Sequence, residues 1–202
     1  MTSPDTAGVR TAQESDLPAI EATLGAAFAD DPVAQWLLGK RLTPERIGFF
    51  DTALARGHLE DGLSTVTADC EAVAIWAAPK RFRIPARRML RHLPRALAAL
   101  GPAGFARMLS MADVEKLHPA EPHYYLAVLG TDPAHQGKGL GSAAMAPVFE
   151  RADSEGTACY LESSKEDNLA FYHRHGFEVT GTHDLGGGKG PRLWLMWREP
   201  RG

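Results

Sequence analysis

The segment 125–142, YLAVLGTDPAHQGKGLGS, constrains this chain more than any other stretch. Leu126, Ala127, Val128 and Leu129 form an apolar run that reads as a buried strand. Gly130 and the Asp132-Pro133 pair are stop signals for it. Gln136, Gly137, Lys138, Gly139 and Leu140 then lead into helical spacing at Leu140, Ala144 and Val148. A strand, a glycine-rich bend and a helix start, in that order, make a natural anion site. The first amides of a helix have no internal partner, and its dipole places partial positive charge there. Glycines let backbone N–H groups approach an anion with no side chain in the way.

The bend is not a Walker loop, because GxxxxGK followed by Ser or Thr is missing, and its spacing is GxGxG rather than GxGxxG. It reads Q-x-x-G-x-G at Gln136, Gly139 and Gly141. Alone, that pattern also fits a tight strand–helix turn with no ligand. A second pattern, NxxFYxRxGF, follows about 30 residues later at Asn168, Phe171, Tyr172, Arg174, Gly176 and Phe177.

Composition narrows the class. A chain of 202 residues, 44% of them hydrophobic, can bury a sizeable core as one domain, 1–202. No run approaches 18 apolar residues, and MTSPDTAGVR has no apolar secretory core, so neither a membrane span nor a signal peptide is expected. Cys70 and Cys159, both in apparent strands, read as reduced core residues of a cytoplasmic protein with no metal. Charge is uneven. Residues 1–79 carry 5 basic and 12 acidic side chains, residues 80–107 carry 8 and none, and residues 108–202 carry 9 and 13. The basic segment lacks interleaved aromatics beyond Phe82 and Phe105 within an acidic chain, which argues against nucleic acid.

In order, the pattern predicts a strand at 9–12 and a helix capped by Ser15 or Asp16, with Leu17, Ile20, Leu24 and Phe28 on one face. Ala29-Asp30-Asp31-Pro32 breaks it, and Thr43-Pro44 opens a second helix with Ile47, Phe50, Leu54 and His58 on one face. Strands at 63–68 and 72–77 form a hairpin. Segment 79–120 reads as an arm of short helices separated by proline bends, placed to shape an acceptor pocket. A helix from 140 to about 155, bent at Pro147, precedes a strand at 157–163. A short helix from Asp167 or Asn168 then leads to strands at 177–183 and 192–197, joined by a glycine linker at 186–190.

With these two motifs in this order, the chain resembles the GNAT acetyltransferase superfamily from about residue 8 to 198. Within it, DPAHQGKGLGSA, the later LES, N-L-x-FY, PRLW, FADDP and AVAIW are most similar to puromycin N-acetyltransferases; the likeness weakens at about 80–118. The resemblance implies a mixed α/β (α+β), mostly antiparallel sheet of six or seven strands flanked by helices, with a helical insertion before the central strand. It implies acetyl-CoA as co-substrate. The acetyl-pantetheine arm would lie along Val128, Leu129, Gly130 and Thr131, where the central strand splays from its neighbour. The pyrophosphate would lie on Gln136, Gly137, Lys138, Gly139, Leu140, Gly141 and Ser142, with Asn168 near the arm. Tyr172 corresponds to the tyrosine that many of these enzymes place beside the sulfur. Its free pKa near 10 keeps it protonated at neutral pH, ready to serve the departing thiolate.

Glu162, on the strand face of Tyr160, is the candidate base, with a surface carboxylate of no role as the alternative; His123 at the strand start is a rival with a structural alternative. Asp30 and Asp31 are candidates for binding a cationic amine, with an N-cap role as the alternative. The acceptor is expected to be a primary amine of a small molecule, an aminonucleoside such as puromycin included. A protein or peptide acceptor and a non-catalytic acyl-CoA sensor remain open, and the protein is expected to be a monomer or homodimer.

Overall fold

The computed structural model describes residues 8–83 and 86–202, with no side chain described at 54–55, 86–93, 95 or 112. Along the chain follow β1 (Val9–Thr11), α1 (Leu17–Ala27), α2 (Pro32–Leu38), α3 (Pro44–His58), β2 (Thr65–Thr67), β3 (Ala72–Ala77) and α4 (Ala86–Ser110). Then come β4 (His123–Thr131), α5 (Leu140–Ser154), β5 (Ala158–Ser163), α6 (Leu169–Arg174), β6 (Glu178–Asp184) and β7 (Arg192–Arg198). The strands form one seven-stranded sheet in the order β1-β2-β3-β4-β5-β7-β6. Every pairing is antiparallel except β4 with β5, whose parallel connection is the crossover helix α5. The expected mixed, mostly antiparallel architecture is what the chain adopts.

Period-two alternation on β3 builds two cores. Ala72, Ala74 and Trp76 face α5, packing with Ala144, Met145, Val148 and Phe177. Val73 and Ile75 face α1, packing with Ile20, Leu24 and Val66. Since β3 is buried on both faces, all six of its residues are small or apolar.

Two irregularities shape the middle of the sheet. Ile75 pairs with Val128 and Trp76 with Leu126, so Ala127 is the extra residue of a bulge in β4. On the other edge, β4 pairs with β5 only through His123, Tyr124 and Tyr125, although it continues to Thr131. Beyond Tyr125 the two strands separate and leave a wedge, as the resemblance implies. Gly130 is not a stop: it lies within β4, where an added Cβ would come 2.6 Å from Leu24 Cδ2 on α1.

Helices α1 and α3 touch backbone to backbone at Gly25 and Gly48. A Cβ on Gly48 would lie 2.0 Å from the Glu21 carbonyl oxygen. Gly→Ala in a helix ordinarily stabilises by up to about 1 kcal/mol. Here the clash is with backbone that cannot swing away, so Gly48→Ala is expected to destabilise by about 2 kcal/mol, read from the urea midpoint. A stabilised variant would show that the helices do not meet at this residue.

Several expectations are corrected. Cys70 is not in a strand; it occupies the β2–β3 turn with φ 58°, its carbonyl accepting from Thr23 Oγ1 at 2.7 Å. Cys159 is in β5, and both thiols are free and buried. The arm is not divided at each proline. Helix α4 runs through Pro94 and breaks at Gly101, whose φ of 65° and ψ of −180° are non-helical, with Pro102 opening the second part. Pro94 removes one hydrogen bond while the flanking turns keep theirs, so one proline does not end the helix. The second part of α4 lies close on α2: a Cβ on Gly104 would come 2.5 Å from the Leu37 carbonyl oxygen, and Arg107 Nη1 donates to the Trp36 carbonyl at 2.5 Å. Arg87, Arg88, Arg91 and Arg95, half of the basic segment's charge, and the side chain of Leu54 lie outside the described side chains. At 186–190, Gly186, Gly187 and Gly188 take positive φ in a turn that joins β6 to β7, the linker the sequence suggests.

Candidate active site

The end of β4 that runs on past its pairing with β5 borders a cavity of about 700 Å³. Its floor is Leu129, Gly130 and Thr131 at the end of β4. One wall is the 136–142 bend with the start of α5, and the opposite wall is the α1–α2 junction. Asn168, Phe171, Tyr172 and Arg174 close the remaining side.

The bend is held by its own side chains. Asp132 accepts from the Ala134 amide at 2.8 Å, and Gln136 Nε2 donates to the Thr131 carbonyl at 3.2 Å. Gly137 and Gly139 have φ of 75° and 79°, conformations that cost an L side chain about 1–2 kcal/mol. A Cβ at either would meet nothing within 4 Å. Gly139 is the N-cap of α5 with no side chain over the helix start, so the amides of Leu140, Gly141 and Ser142 have no partner inside the helix. Ser142 Oγ and His175 Nε2, 2.9 Å apart, tie this end of α5 to the turn after α6. Bare glycine backbone, a helix amino terminus and an open cavity together fit a pyrophosphate.

Of the residues expected to hold the donor, Leu129, Gly130, Thr131, Gln136, Gly137, Gly139, Leu140, Gly141, Ser142 and Asn168 line this cavity. Val128 and Lys138 do not. The Val128 side chain is 6% exposed in the α1-facing core, because the bulge at Ala127 turns it there. Lys138 bends back over its own turn, with Nζ 3.5 Å from the Ala134 carbonyl.

Tyr172 lines the cavity and is 8% exposed. Burial pushes its phenol well above the ordinary value near 10, so it stays protonated. Its ring packs edge-on to Phe171 and Phe177.

Asp30 and Asp31 both reach the cavity edge, but neither carboxylate is free. Asp31 Oδ1 accepts from the Val33 and Ala34 amides at 2.9 Å each, an N-cap for α2, and Oδ2 accepts from Ser164 Oγ. Asp30 pairs with Lys165, which holds its carboxyl below the usual range. The capping alternative therefore describes Asp31, and ion pairing describes Asp30. Asp31→Ala is expected to cost about 1–2 kcal/mol of stability in denaturant unfolding, because two helix-start amides lose their acceptor. An unchanged midpoint would refute the cap.

Glu162 stands on β5 two residues past the last residue paired with β4. Its carboxyl lies among Tyr125, Tyr160 and His118. Its carboxyl is buried and pushed up to about 7 by that burial, against the pull of the Tyr125 and Tyr160 hydroxyls. A carboxyl tuned to near neutrality suits a general base. His123 is 3% exposed and joins this enclosure as a neutral ring, its pKa lowered by burial.

Sequence reasoning gave no role to His118, which stacks on Phe82 with centroids 3.9 Å apart. Arg174, on the cavity wall and over the Phe171 ring at 5.9 Å, was within a quoted motif without a role. Lys165 lines the cavity as well and had no local signal.

Comparison with known proteins decides the family. The model of the acetyltransferase (GNAT) family matches residues 70–177, more than half of the chain. The chain belongs to the GNAT acetyltransferase family. This GNAT chain is 28% identical over 181 residues to an uncharacterized N-acetyltransferase of Schizosaccharomyces pombe, covering 82% of this chain and 72% of that one. A solved Corynebacterium glutamicum structure, described as histone acetyltransferase HPA2 and related acetyltransferase, superposes with TM-score 0.62 at 26% identity, covering 96% of each chain. The arylalkylamine N-acetyltransferase 2 of Aedes aegypti shares the fold, with TM-score 0.65 at 14% identity over 96% of this chain and 98% of that one. Among the described residues no cluster of three or more His, Cys, Asp or Glu is arranged to hold a metal, and no helix is long and apolar enough to cross a membrane.

Proposed function

We propose that this protein transfers an acetyl group from acetyl-CoA to a primary amine of a small molecule, as a single catalytic domain in the cytoplasm. The observation that carries the reading is the cavity itself. It joins the splayed end of β4, the glycine-lined start of α5 and the protonated Tyr172 hydroxyl in one space. The α5 amides and Gly137 to Gly139 hold the pyrophosphate. The free edge of Leu129 to Thr131 aligns the pantetheine arm, and a backbone N–H of β4 polarises the thioester carbonyl. Tyr172 gives its proton to the sulfur as the C–S bond breaks. Glu162 takes the proton that the attacking amine releases. Holding amine and thioester together also replaces a bimolecular encounter.

For the acceptor, the face of the sheet carrying Glu162 supports an amine with a flat aromatic part. Tyr125 and Tyr160 lie beside the carboxyl there and Phe82 stacks on His118 next to it, and aromatic surfaces add contact energy. An aminonucleoside of the puromycin type fits that description. Thiol release from acetyl-CoA with a panel of aminonucleosides, arylalkylamines, polyamines and acidic peptides tests the class. Turnover on aryl-bearing small amines supports it. Turnover on peptides alone overturns the small-molecule assignment.

A further inference from the structure

The enclosure behind Glu162 has a polarity that can be read bond by bond. The Glu121 carbonyl can only accept, and His123 Nδ1 lies 2.7 Å from it, so that nitrogen carries a proton. His123 is held neutral by burial, which leaves Nε2 as an acceptor. His118 Nδ1 lies 3.1 Å from His123 Nε2, so the His118 proton sits on Nδ1. A neutral His118 then turns a bare Nε2 toward Glu162 Oε1, 3.5 Å away, with both side chains almost fully enclosed. Among the described residues Oε1 makes no hydrogen bond of ordinary geometry, although the Tyr125 and Tyr160 hydroxyls lie beside the carboxyl. Two lone pairs facing each other in a buried enclosure repel, and one proton between them removes the repulsion.

We propose that His118 and Glu162 form a buried pair that holds one proton between Nε2 and Oε1, and that His118 is a positioning residue setting when Glu162 can accept the amine's proton. The inference deepens the acetyltransferase reading and rests on it for its catalytic meaning. With the pair empty, the amine nitrogen bonds to the thioester carbon and loses a proton to the Glu162 carboxylate. The C–S electron pair leaves with sulfur, which takes the Tyr172 proton. Glu162 then carries a proton that His118 Nε2 accepts as a hydrogen bond, and exchange with water resets Glu162 and Tyr172. Acid closes the cycle, because below the pair's titration the slot is filled.

The charges around the pair agree with a neutral imidazole. Burial, His123 and Arg83 pull His118 down to about 4, so whenever the pair holds its proton, that proton sits on Glu162. Arg83 is itself paired with Glu115 at 3.3 Å. Tyr125 from β4 and Tyr160 from β5 are the other titratable groups facing the carboxyl, and both phenols are pushed far above neutrality. His118 comes from the segment just before β4 and is pinned between Phe82 and Tyr125.

The test is His118→Gln, whose amide can donate an N–H to Oε1 where the imidazole presents a lone pair. The Glu162 carboxyl is followed by carbon-13 NMR of glutamate-labelled protein, assigned with Glu162→Gln. The expected midpoint is about 7 in the wild type and at least about one pH unit lower in His118→Gln, with the rising limb of kcat/KM moving by the same amount. Nitrogen-15 spectra of the unmutated protein are expected to show His118 protonated on Nδ1. A midpoint unmoved by the substitution, or a wild-type His118 protonated on Nε2, overturns the pair. The carboxyl titration needs no turnover. A moved midpoint without acetyl transfer keeps the pair and removes the enzyme reading, while transfer with an unmoved midpoint does the reverse.

Discussion

Tyr172→Phe is expected to lower kcat by about 100- to 1,000-fold and to leave acetyl-CoA affinity within about twofold. The phenol is buried beside the cavity, and burial holds it protonated at every working pH. A CoA thiolate resembles a thiol of pKa about 8.5, so it is basic enough to take up a proton as the C–S bond breaks. Phenylalanine keeps the edge contacts with Phe171 and Phe177, whose centroids lie 5.3 and 5.9 Å from the Tyr172 ring, so the fold and the donor site survive. Steady-state thiol release and calorimetric CoA binding separate the two effects. A wild-type kcat in this variant would remove Tyr172 from the chemistry.

Gly139→Leu is expected to weaken CoA binding by about 100-fold or more, which is about 2.7 kcal/mol. The backbone here has φ 79°, and the new side chain would start in open space at the cavity wall, over the first amides of α5. Left-handed strain costs about 1–2 kcal/mol of stability as well. Gly141→Leu separates the two causes. Gly141 carries no positive φ, and its Cβ meets Thr131 Oγ1 at 3.3 Å, so it blocks the cavity with less backbone strain. Both variants losing CoA while still melting cooperatively supports a blocked pyrophosphate cradle. Unchanged CoA affinity in both would place the donor elsewhere.

What the sequence told directly was local. The 136–142 bend and α5 were legible because glycine spacing and a 3.6-residue period sit side by side in one short stretch. The β3 strand was legible to its ends, since AVAIWA is apolar throughout and bounded by turn residues. Gly130 misled, because a glycine that stops a strand and one that admits a neighbouring helix look alike in one dimension. Asp30 and Asp31 could be read as a binding pair or as a cap, and only the nearby Val33 and Ala34 amides and Lys165 choose. Pro94 looked like a helix end, whereas the break lies at Gly101. The His118–Glu162 pair had no local signal at all. The two residues are 44 positions apart and are brought together only by the parallel pairing of β4 with β5 and by the ring stack on Phe82.

The most direct measurement of the central claim is mass spectrometry of an acceptor amine after incubation with carbon-13 acetyl-CoA and the purified protein. The account predicts one labelled acetyl group on the amine nitrogen, formed at least about 100-fold more slowly by Tyr172→Phe. Tight CoA binding with no labelled product on any amine would contradict it, and would make this cavity a site that senses acyl-CoA without using it.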